Sequence, residues 1–247
     1  MPGTIRVGVG GWTFEPWRGV FYPDDLPQKR ELEYASRALT SIEINGTYYS
    51  SFKPDSWQKW HDETPDDFVY TVKASRFCTN RKVLADAGPS IEKFFAQGID
   101  RLGAKLGPIN WQLANTKKFD ATDCDAFLAL LPKKLGALKL RHALEVRHDT
   151  FTDPAFYELA KRHGVAIIHA QGEKFPEIDE PTADFTYARL MVTDEAHAKG
   201  VTPQAVKKIA DRAKAWVKRG DAFVYFISAA KVRNPAAAQA LIAQLGK

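Results

Sequence analysis

The sequence lacks most of the features that mark secreted, membrane-spanning or metal-clustered proteins. It has only two cysteines, Cys78 and Cys124, among 247 residues. This spacing predicts neither a disulfide framework nor a thiolate metal site, so we expect a reducing, cytoplasmic environment. No apolar run reaches the roughly 18 residues of a transmembrane helix. The first residues, Met1–Arg6, contain no signal-peptide hydrophobic region, and we expect no membrane partner.

Signatures of common cofactor sites are also missing. The turn after the first apolar run reads Gly8-Val9-Gly10-Gly11-Trp12-Thr13, so Thr13 stands where a dinucleotide-binding loop has its third glycine. No phosphate-loop lysine follows. We interpret these glycines as giving space inside a barrel or in a tight turn. Glu145 and His148 are three residues apart on a strand, which places them on opposite faces, so we assign no metal ligands and identify no cofactor.

The chain does contain a regular alternation of strand-like and helix-like segments. The apolar strand-like runs are 5–10, 41–45, 68–75, 105–113, 142–148, 165–170, 185–191 and 223–228. The helix-like segments between and after them are 28–39, 54–61, 90–102, 121–131, 154–163, 203–219 and 235–245. Repeated β-α units of this length predict a single (β/α)8 TIM-like barrel with parallel strands, one domain over residues 1–247. An open doubly wound sheet is the alternative.

Several of these buried strands carry charge near their carboxyl ends. In Ile42-Glu43-Ile44-Asn45 the isoleucines share one face and the polar residues share the other, because side chains alternate along a strand. Lys73, Glu145, Arg147 and Arg189 occupy similar positions. If the apolar faces pack on the outer helices, the charged faces point into the barrel. Buried charge is costly unless it is paired or used, so these residues form either a structural ion network or a site.

Barrel enzymes place their active sites at the carboxyl ends of the strands, which defines a set of candidates. The five charged members sum to +1, and this charge suits a small phosphorylated or carboxylated ligand. We predict that Arg147, Arg189 and Lys73 hold the anion while Glu43 or Glu145 moves a proton. Lys73 could alternatively form a Schiff base. The remaining candidates for substrate binding are Asn45, Gln112, His169, Trp12 and Tyr48.

Two features leave other functions open. Trp12, Tyr48 and Tyr49 follow the first two strands and could either stack against a ring or pack the barrel. Residues 197–233 carry nine Lys or Arg against Asp211 and Asp221, a net +7 in a chain of net +5. We favour one amphipathic helix for this segment, but a nucleic-acid-binding or phosphodiester-cleaving barrel is an alternative. A non-catalytic metabolite sensor is another.

Several of these motifs, taken together and in order, resemble those of the YecE-like domain-of-unknown-function family. They are Gly10-Gly11-Trp12, Trp17-Arg18-Gly19-Val20-Phe21-Tyr22-Pro23, Glu43-Ile44-Asn45, Thr47-Tyr48-Tyr49, Val72-Lys73-Ala74-Ser75-Arg76, Lys105-Leu106-Gly107-Pro108, Gln112-Leu113, Glu145-Val146-Arg147-His148 and Tyr187-Ala188-Arg189-Leu190. The resemblance implies a TIM-like barrel and no established activity. The chain departs from the family at Ile227-Ser228-Ala229, where members often carry Asn-Asp, and at His169-Ala170-Gln171, where an aspartate is common.

Overall fold

A computed structural model describes residues 3–172 and 174–246 of the chain. Its β-strands are β1 (Ile5–Gly10), β2 (Ser41–Ile44), β3 (Val69–Lys73), β4 (Leu106–Gln112), β5 (Lys134–Leu135), β6 (Leu138–Lys139), β7 (His142–Glu145), β8 (Ala166–Ile167), β9 (His169–Gln171), β10 (Phe185–Leu190) and β11 (Asp221–Phe226). Its α-helices are α1 (Glu31–Ala38), α2 (Pro54–Asp62), α3 (Arg76–Thr79), α4 (Gly88–Phe95), α5 (Ala121–Leu130), α6 (Pro154–His163), α7 (Pro203–Trp216) and α8 (Asn234–Gln244).

The strands form the predicted parallel barrel. Nine of them make one sheet in the order β8-β7-β4-β3-β2-β1-β11-β10-β9. The two ends of this order, β8 and β9, are consecutive pieces of one chain segment separated only by Ile168. The first piece pairs with β7 and the second pairs with β10, so this segment closes the sheet on itself. The predicted strand 165–170 is therefore one staggered strand of a (β/α)8 barrel.

The polar faces of the strands point into the barrel, as the alternation predicted. The apolar interior cluster includes Phe185, Tyr187, Phe223, Tyr225 and Ile227, which alternate along β10 and β11 and into the residue after β11. Gly10 occupies an inward position of β1, where a Cβ atom would lie 2.4 Å from Asn45 Nδ2. The glycine therefore provides space in the interior, which agrees with the interpretation of the first turn.

The outer helices form where the sequence provides caps and an apolar stripe. Asp153 and Thr202 accept backbone N–H groups at the starts of α6 and α7, and Gly164 ends α6 in the left-handed conformation. In α7, Val206, Ile209, Ala213 and Trp216 are buried while all three of its lysines are exposed, which favours the amphipathic interpretation of the basic segment.

The structure also contains details beyond the predicted elements. Asn234 is the first residue of α8, and its side-chain oxygen accepts a hydrogen bond from Thr193 Oγ1 at 2.7 Å. The β5–β6 hairpin and the short helix α3 were not predicted. Both are too short to show a hydrophobic period. Within the part of the chain that the structure describes, no helix has both the length and the apolar character needed to cross a bilayer.

Candidate functional site

A cavity of about 640 Å³ opens at the carboxyl ends of the barrel strands. Six predicted site residues line it, namely Trp12, Asn45, Lys73, Gln112, Arg147 and Arg189. Each follows from the alternation along its strand or from the first residues beyond the strand. The volume suits a small molecule, because ligand pockets span roughly 300–1,000 Å³.

Two carboxylates lie beneath this cavity and share one guanidinium group. Glu43 and Glu145 have no solvent exposure. Arg189 joins them: its Nη2 donates to Glu43 Oε1 at 3.0 Å and its Nη1 donates to Glu145 Oε2. Asn110 Nδ2 also lies 3.2 Å from Glu43 Oε2 and 3.4 Å from Glu145 Oε2. The side chains of β2, β4, β7 and β10 thus meet in one buried network.

Further donors complete the set of partners on both carboxylates. Tyr187 donates its hydroxyl to Glu43 Oε2 and lies 2.9 Å from Thr71 Oγ1. Arg147 donates Nε and Nη2 to Glu145 Oε1 at 2.9 and 2.7 Å. Every carboxylate oxygen of the pair therefore has a hydrogen-bond partner. Neither glutamate lines the cavity, so a substrate would meet the cations above them first.

The network keeps both carboxylates ionised. Burial alone would raise the pKa of Glu145, but Arg189 and Arg147 outweigh it and lower that pKa to about 2. Burial acts in the same direction on Glu43, and Arg189 with Lys73 holds its pKa below the ordinary value. Such groups are permanent negative charges at neutral pH. The proton-transfer role predicted for them would require one to exchange its partners.

Arg147 is held at the edge of the cavity with part of its guanidinium free. Its Nη2 donates to Gln112 Oε1 at 2.6 Å as well as to Glu145, and its side chain is 22% exposed. The guanidinium carbon lies 4.4 Å from the centroid of the Phe175 ring. The described residues provide hydrogen-bond acceptors to Nε and Nη2 but none to Nη1. Because Arg147 lines the cavity, Nη1 is a candidate donor for an anion there.

Lys73 is buried, and no carboxylate of the described residues is in direct contact with its ammonium. It is 7% exposed, yet its ammonium makes no hydrogen bond or ion pair with any residue that the structure describes. Its Nζ lies 4.4 Å from the centroid of the Tyr48 ring. Tyr48, a predicted site residue, therefore contacts Lys73 but does not itself line the cavity. Burial, with repulsion from Arg189, lowers the pKa of Lys73 to about 8.

Two other polar atoms near the cavity lack partners among the described residues. Arg189 Nε and Asn45 Oδ1 are buried and make no hydrogen bond. A buried polar atom without a partner is costly, and such atoms often mark where water or a ligand binds.

Aromatic side chains form one wall of the cavity. Trp12 and Trp60 lie edge to face with ring centroids 5.3 Å apart, and Phe52 packs against Trp60 at 5.0 Å. Tyr49 lines the cavity and is 65% exposed. Trp60 lines the cavity, whereas Trp17 and Trp57 are fully buried and do not line it.

The loop after β11 contributes cavity residues that the sequence did not reveal. Ser228, Lys231 and Asn234 line the cavity. Ser228 and Ala229 have φ of 53° and 47°, the left-handed region that non-glycine residues rarely adopt. Lys231 Nζ lies 3.9 Å from the centroid of the Phe14 ring. A loop has no periodicity, so only the family departure at Ile227-Ser228-Ala229 drew attention to this segment.

His169 does not join the other candidates, and its prediction as a mouth residue is corrected here. Its ring lies 5.5 Å from that of Trp216 on α7, and its Nδ1 lies 3.1 Å from the Ile178 carbonyl oxygen. The neighbours that point into the barrel are Ala166 and Ile168. Because side chains alternate, His169 points outward toward the helices.

No group of three or more His, Cys, Asp or Glu side chains is arranged to hold a metal ion within residues 3–172 and 174–246. The candidate site instead consists of three cations above two buried carboxylates.

Comparison with known proteins identifies the family. The model of the family described as "Protein of unknown function DUF72" matches residues 6–247. The chain belongs to the DUF72 family. A curated relative of this DUF72 protein is the UPF0759 protein YunF of Bacillus subtilis (strain 168), 24% identical over 181 residues. That match covers 72% of this chain and 61% of YunF, so the chain spans less than two thirds of the relative's length.

Solved DUF72 structures share the barrel. A DUF72 family protein from Thermotoga maritima MSB8 superposes with a TM-score of 0.79 at 24% identity, covering 98% of each chain. A second, from Enterococcus faecalis V583, gives a TM-score of 0.74 at 13% identity, covering 99% of this chain and 98% of the other. At these identities the likeness establishes the fold of the DUF72 chain and leaves its chemistry to the site itself.

Proposed function

We propose that this DUF72 protein is an enzyme that binds a small phosphorylated or carboxylated substrate in the cavity at the carboxyl end of its barrel. The observation that carries the proposal is the set of incompletely paired cations facing this cavity. Arg147 presents Nη1, Arg189 leaves Nε without a partner, and Lys73 has no ion pair among the described residues. An arginine and a lysine together provide a directional donor and a point charge for an anion.

The buried glutamates support this proposal by fixing the cations. Glu145 accepts from both Arg147 and Arg189, and Glu43 accepts from Arg189, so the guanidinium groups have little freedom to rotate. The five charges sum to +1, and Lys231 on the cavity wall adds another positive charge. A preorganised positive site binds an anion without first rearranging its side chains, which favours both affinity and catalysis.

We assign the chemical step at this site to Lys73 rather than to the glutamates. A lysine can react when part of it is neutral near the working pH, and the pKa of Lys73 is about 8. Glu43 and Glu145 then act as positioning residues. The aromatic wall of Trp12, Phe52 and Trp60 would hold the uncharged part of the substrate.

The test compares arginines at opposite ends of one strand. Arg147 follows β7 at the cavity, whereas Arg141 precedes β7 and pairs with Asp221 at 2.7 Å. We expect inorganic phosphate or a dicarboxylate to raise the melting temperature of the wild type and of Arg141→Ala. The Arg147→Ala variant should fold, because Glu145 keeps Arg189, but should lose the response. Equal responses in the two variants would refute the anion assignment.

The same experiment separates the two alternatives. Exposed Tyr49, beside the cavity, is the observation that favours nucleic acid. That function predicts stabilisation only by oligonucleotides, with an affinity that falls steeply as salt increases. A metabolite sensor would bind the small anion without converting it chemically. The wild type and Lys73→Met would then both show no turnover.

A further inference from the structure

We infer that Lys73 is a nucleophile that forms an imine with the carbonyl carbon of a small carboxylated or phosphorylated aldehyde or ketone. This inference rests on the proposed anion site and deepens it, because it names both the substrate class and the covalent step. It distinguishes Lys73 from a lysine that only attracts an anion.

The amine of Lys73 is isolated from hydrogen-bond acceptors among the described residues. A buried lysine normally finds a carboxylate or several carbonyl oxygens, as Lys105 does with the carbonyls of His61 and Thr64 at 2.6 and 2.7 Å. Lys73 is comparably buried and has carboxylates nearby, yet none lies within bonding distance among the described residues. Its head group instead faces the cavity beside the Tyr48 ring. An amine in this position has a free lone pair once it is deprotonated.

Two positively charged side chains lie close enough to the Lys73 amine to lower its pKa. Arg189 and Arg147 are both anchored by Glu145, so the guanidinium groups cannot move away from Lys73. Burial and these two fixed cations outweigh the opposing attraction of Glu145 and Glu43 and so stabilise the neutral amine, which is the nucleophilic form. The pKa of about 8 means that a useful fraction of Lys73 is neutral near pH 7. Lysines that form Schiff bases are activated in this way, by a cationic neighbour and an apolar surface.

Arg147 and Lys73 can contact different groups of one substrate. Arg147 Nη1 can hold the carboxylate or phosphate, which leaves Lys73 free to meet the adjacent carbonyl. The amine nitrogen bonds to the carbonyl carbon and gives a carbinolamine. One proton moves from the nitrogen to the oxygen in that step. The oxygen then takes up a second proton and leaves as water, while the nitrogen lone pair forms the carbon–nitrogen double bond of an iminium. Loss of the last proton on nitrogen gives the neutral imine. The open cavity supplies and receives these protons through water.

The test is reductive trapping with pyruvate and with dihydroxyacetone phosphate, each with borohydride present. Hydride adds to the imine carbon and makes the bond permanent, so the protein gains the mass of the probe less one oxygen atom. We expect this adduct on the peptide that contains Lys73, with labelling that increases as the pH rises through about 8. Lys73→Arg keeps the positive charge and should bind the anion without forming the adduct.

Lys207 provides the control, because it is exposed on α7 and does not line the cavity. The Lys207→Met variant should still form the adduct on Lys73. Labelling spread over surface lysines, or unchanged in Lys73→Arg, would overturn the inference. If neither probe gives an adduct but phosphate still stabilises the protein through Arg147, the imine is wrong and the anion site stands. If there is neither adduct nor stabilisation, both proposals fail.

Discussion

Substitution of Glu145 by glutamine should lower the free energy of unfolding, and the pKa of Glu145 indicates roughly by how much. The change preserves the size of the side chain but removes the charge shared by Arg147 and Arg189. The pKa of Glu145 falls from 4.5 to about 2 on folding. At about 1.4 kcal/mol for each pKa unit, this corresponds to about 3 kcal/mol of stability at neutral pH. Breaking a buried ion pair costs roughly 3–5 kcal/mol in other proteins.

This loss should be visible as a lower melting temperature and a changed pH dependence. For a chain of this size, about 3 kcal/mol corresponds to roughly 6–12 °C. Because the folded-state pKa is depressed, the contribution of Glu145 is present above pH 4.5 and disappears as the pH falls toward 2. Urea denaturation should therefore show the wild type and Glu145→Gln converging as the pH falls. The difference in the free energy of unfolding between the two proteins should be largest near neutral pH.

A second buried glutamate provides a control for this experiment. Glu31 is also fully buried and pairs with Arg18 at 3.1 Å, but it does not line the cavity. Phosphate should recover part of the stability lost in Glu145→Gln, since the cavity then has an additional uncompensated positive charge. It should not recover any lost in Glu31→Gln. A Glu145→Gln protein as stable as the wild type, or a difference that does not vary with pH, would refute the ionised network.

Three other predictions concern the cavity, a buried histidine and the two thiols. Gly10→Ala should weaken anion binding, since its Cβ would lie 2.4 Å from Asn45 Nδ2, whereas Gly88→Ala, with its nearest contact at 4.0 Å, should bind normally in a calorimetric titration. Burial lowers the pKa of His142 to about 4, so the free energy of unfolding of the wild type should fall by about 3 kcal/mol as the pH falls from 6.5 to 4. Urea denaturation of His142→Asn over the same pH range should lack this decrease. Burial raises the pKa of Cys78 and Cys124 to about 12. Mass spectrometry should therefore show that iodoacetamide labels neither thiol in the native protein and both thiols in urea. Rapid labelling of either thiol in the native protein would contradict its burial.

The barrel and most of the cavity floor could be predicted from the sequence because strand side chains have a fixed period of two. Once Glu43 was placed inside, the same rule placed Lys73, Gln112, Arg147 and Arg189 inside their own strands. The same rule could also have found Asn110 and Tyr187, since each lies two residues before a predicted inward residue, Gln112 and Arg189 respectively. They were missed because only residues at the carboxyl ends of the strands were taken as candidates, and both lie deeper in the barrel.

The rule failed for His169 because its strand offers no polar face to orient it. The segment 165–170 is apolar on both sides, and such a run does not say which face is interior. The pairing of carboxylates with particular cations could not be predicted either, because it depends on the stagger between strands. Lys231 and Ser228 lie in a loop, where no period applies. The sequence also did not indicate that Arg189 bridges both glutamates, and their proton-transfer role stays a prediction.

The most direct test of the anion site is isothermal titration of the purified protein with inorganic phosphate and with a dicarboxylate, comparing wild type, Arg147→Ala and Arg141→Ala. The account predicts a saturable heat of binding for wild type and Arg141→Ala, and none for Arg147→Ala with its fold intact by circular dichroism. Binding that survives in Arg147→Ala, or binding lost equally in Arg141→Ala, would contradict the assignment of this cavity as an anion site.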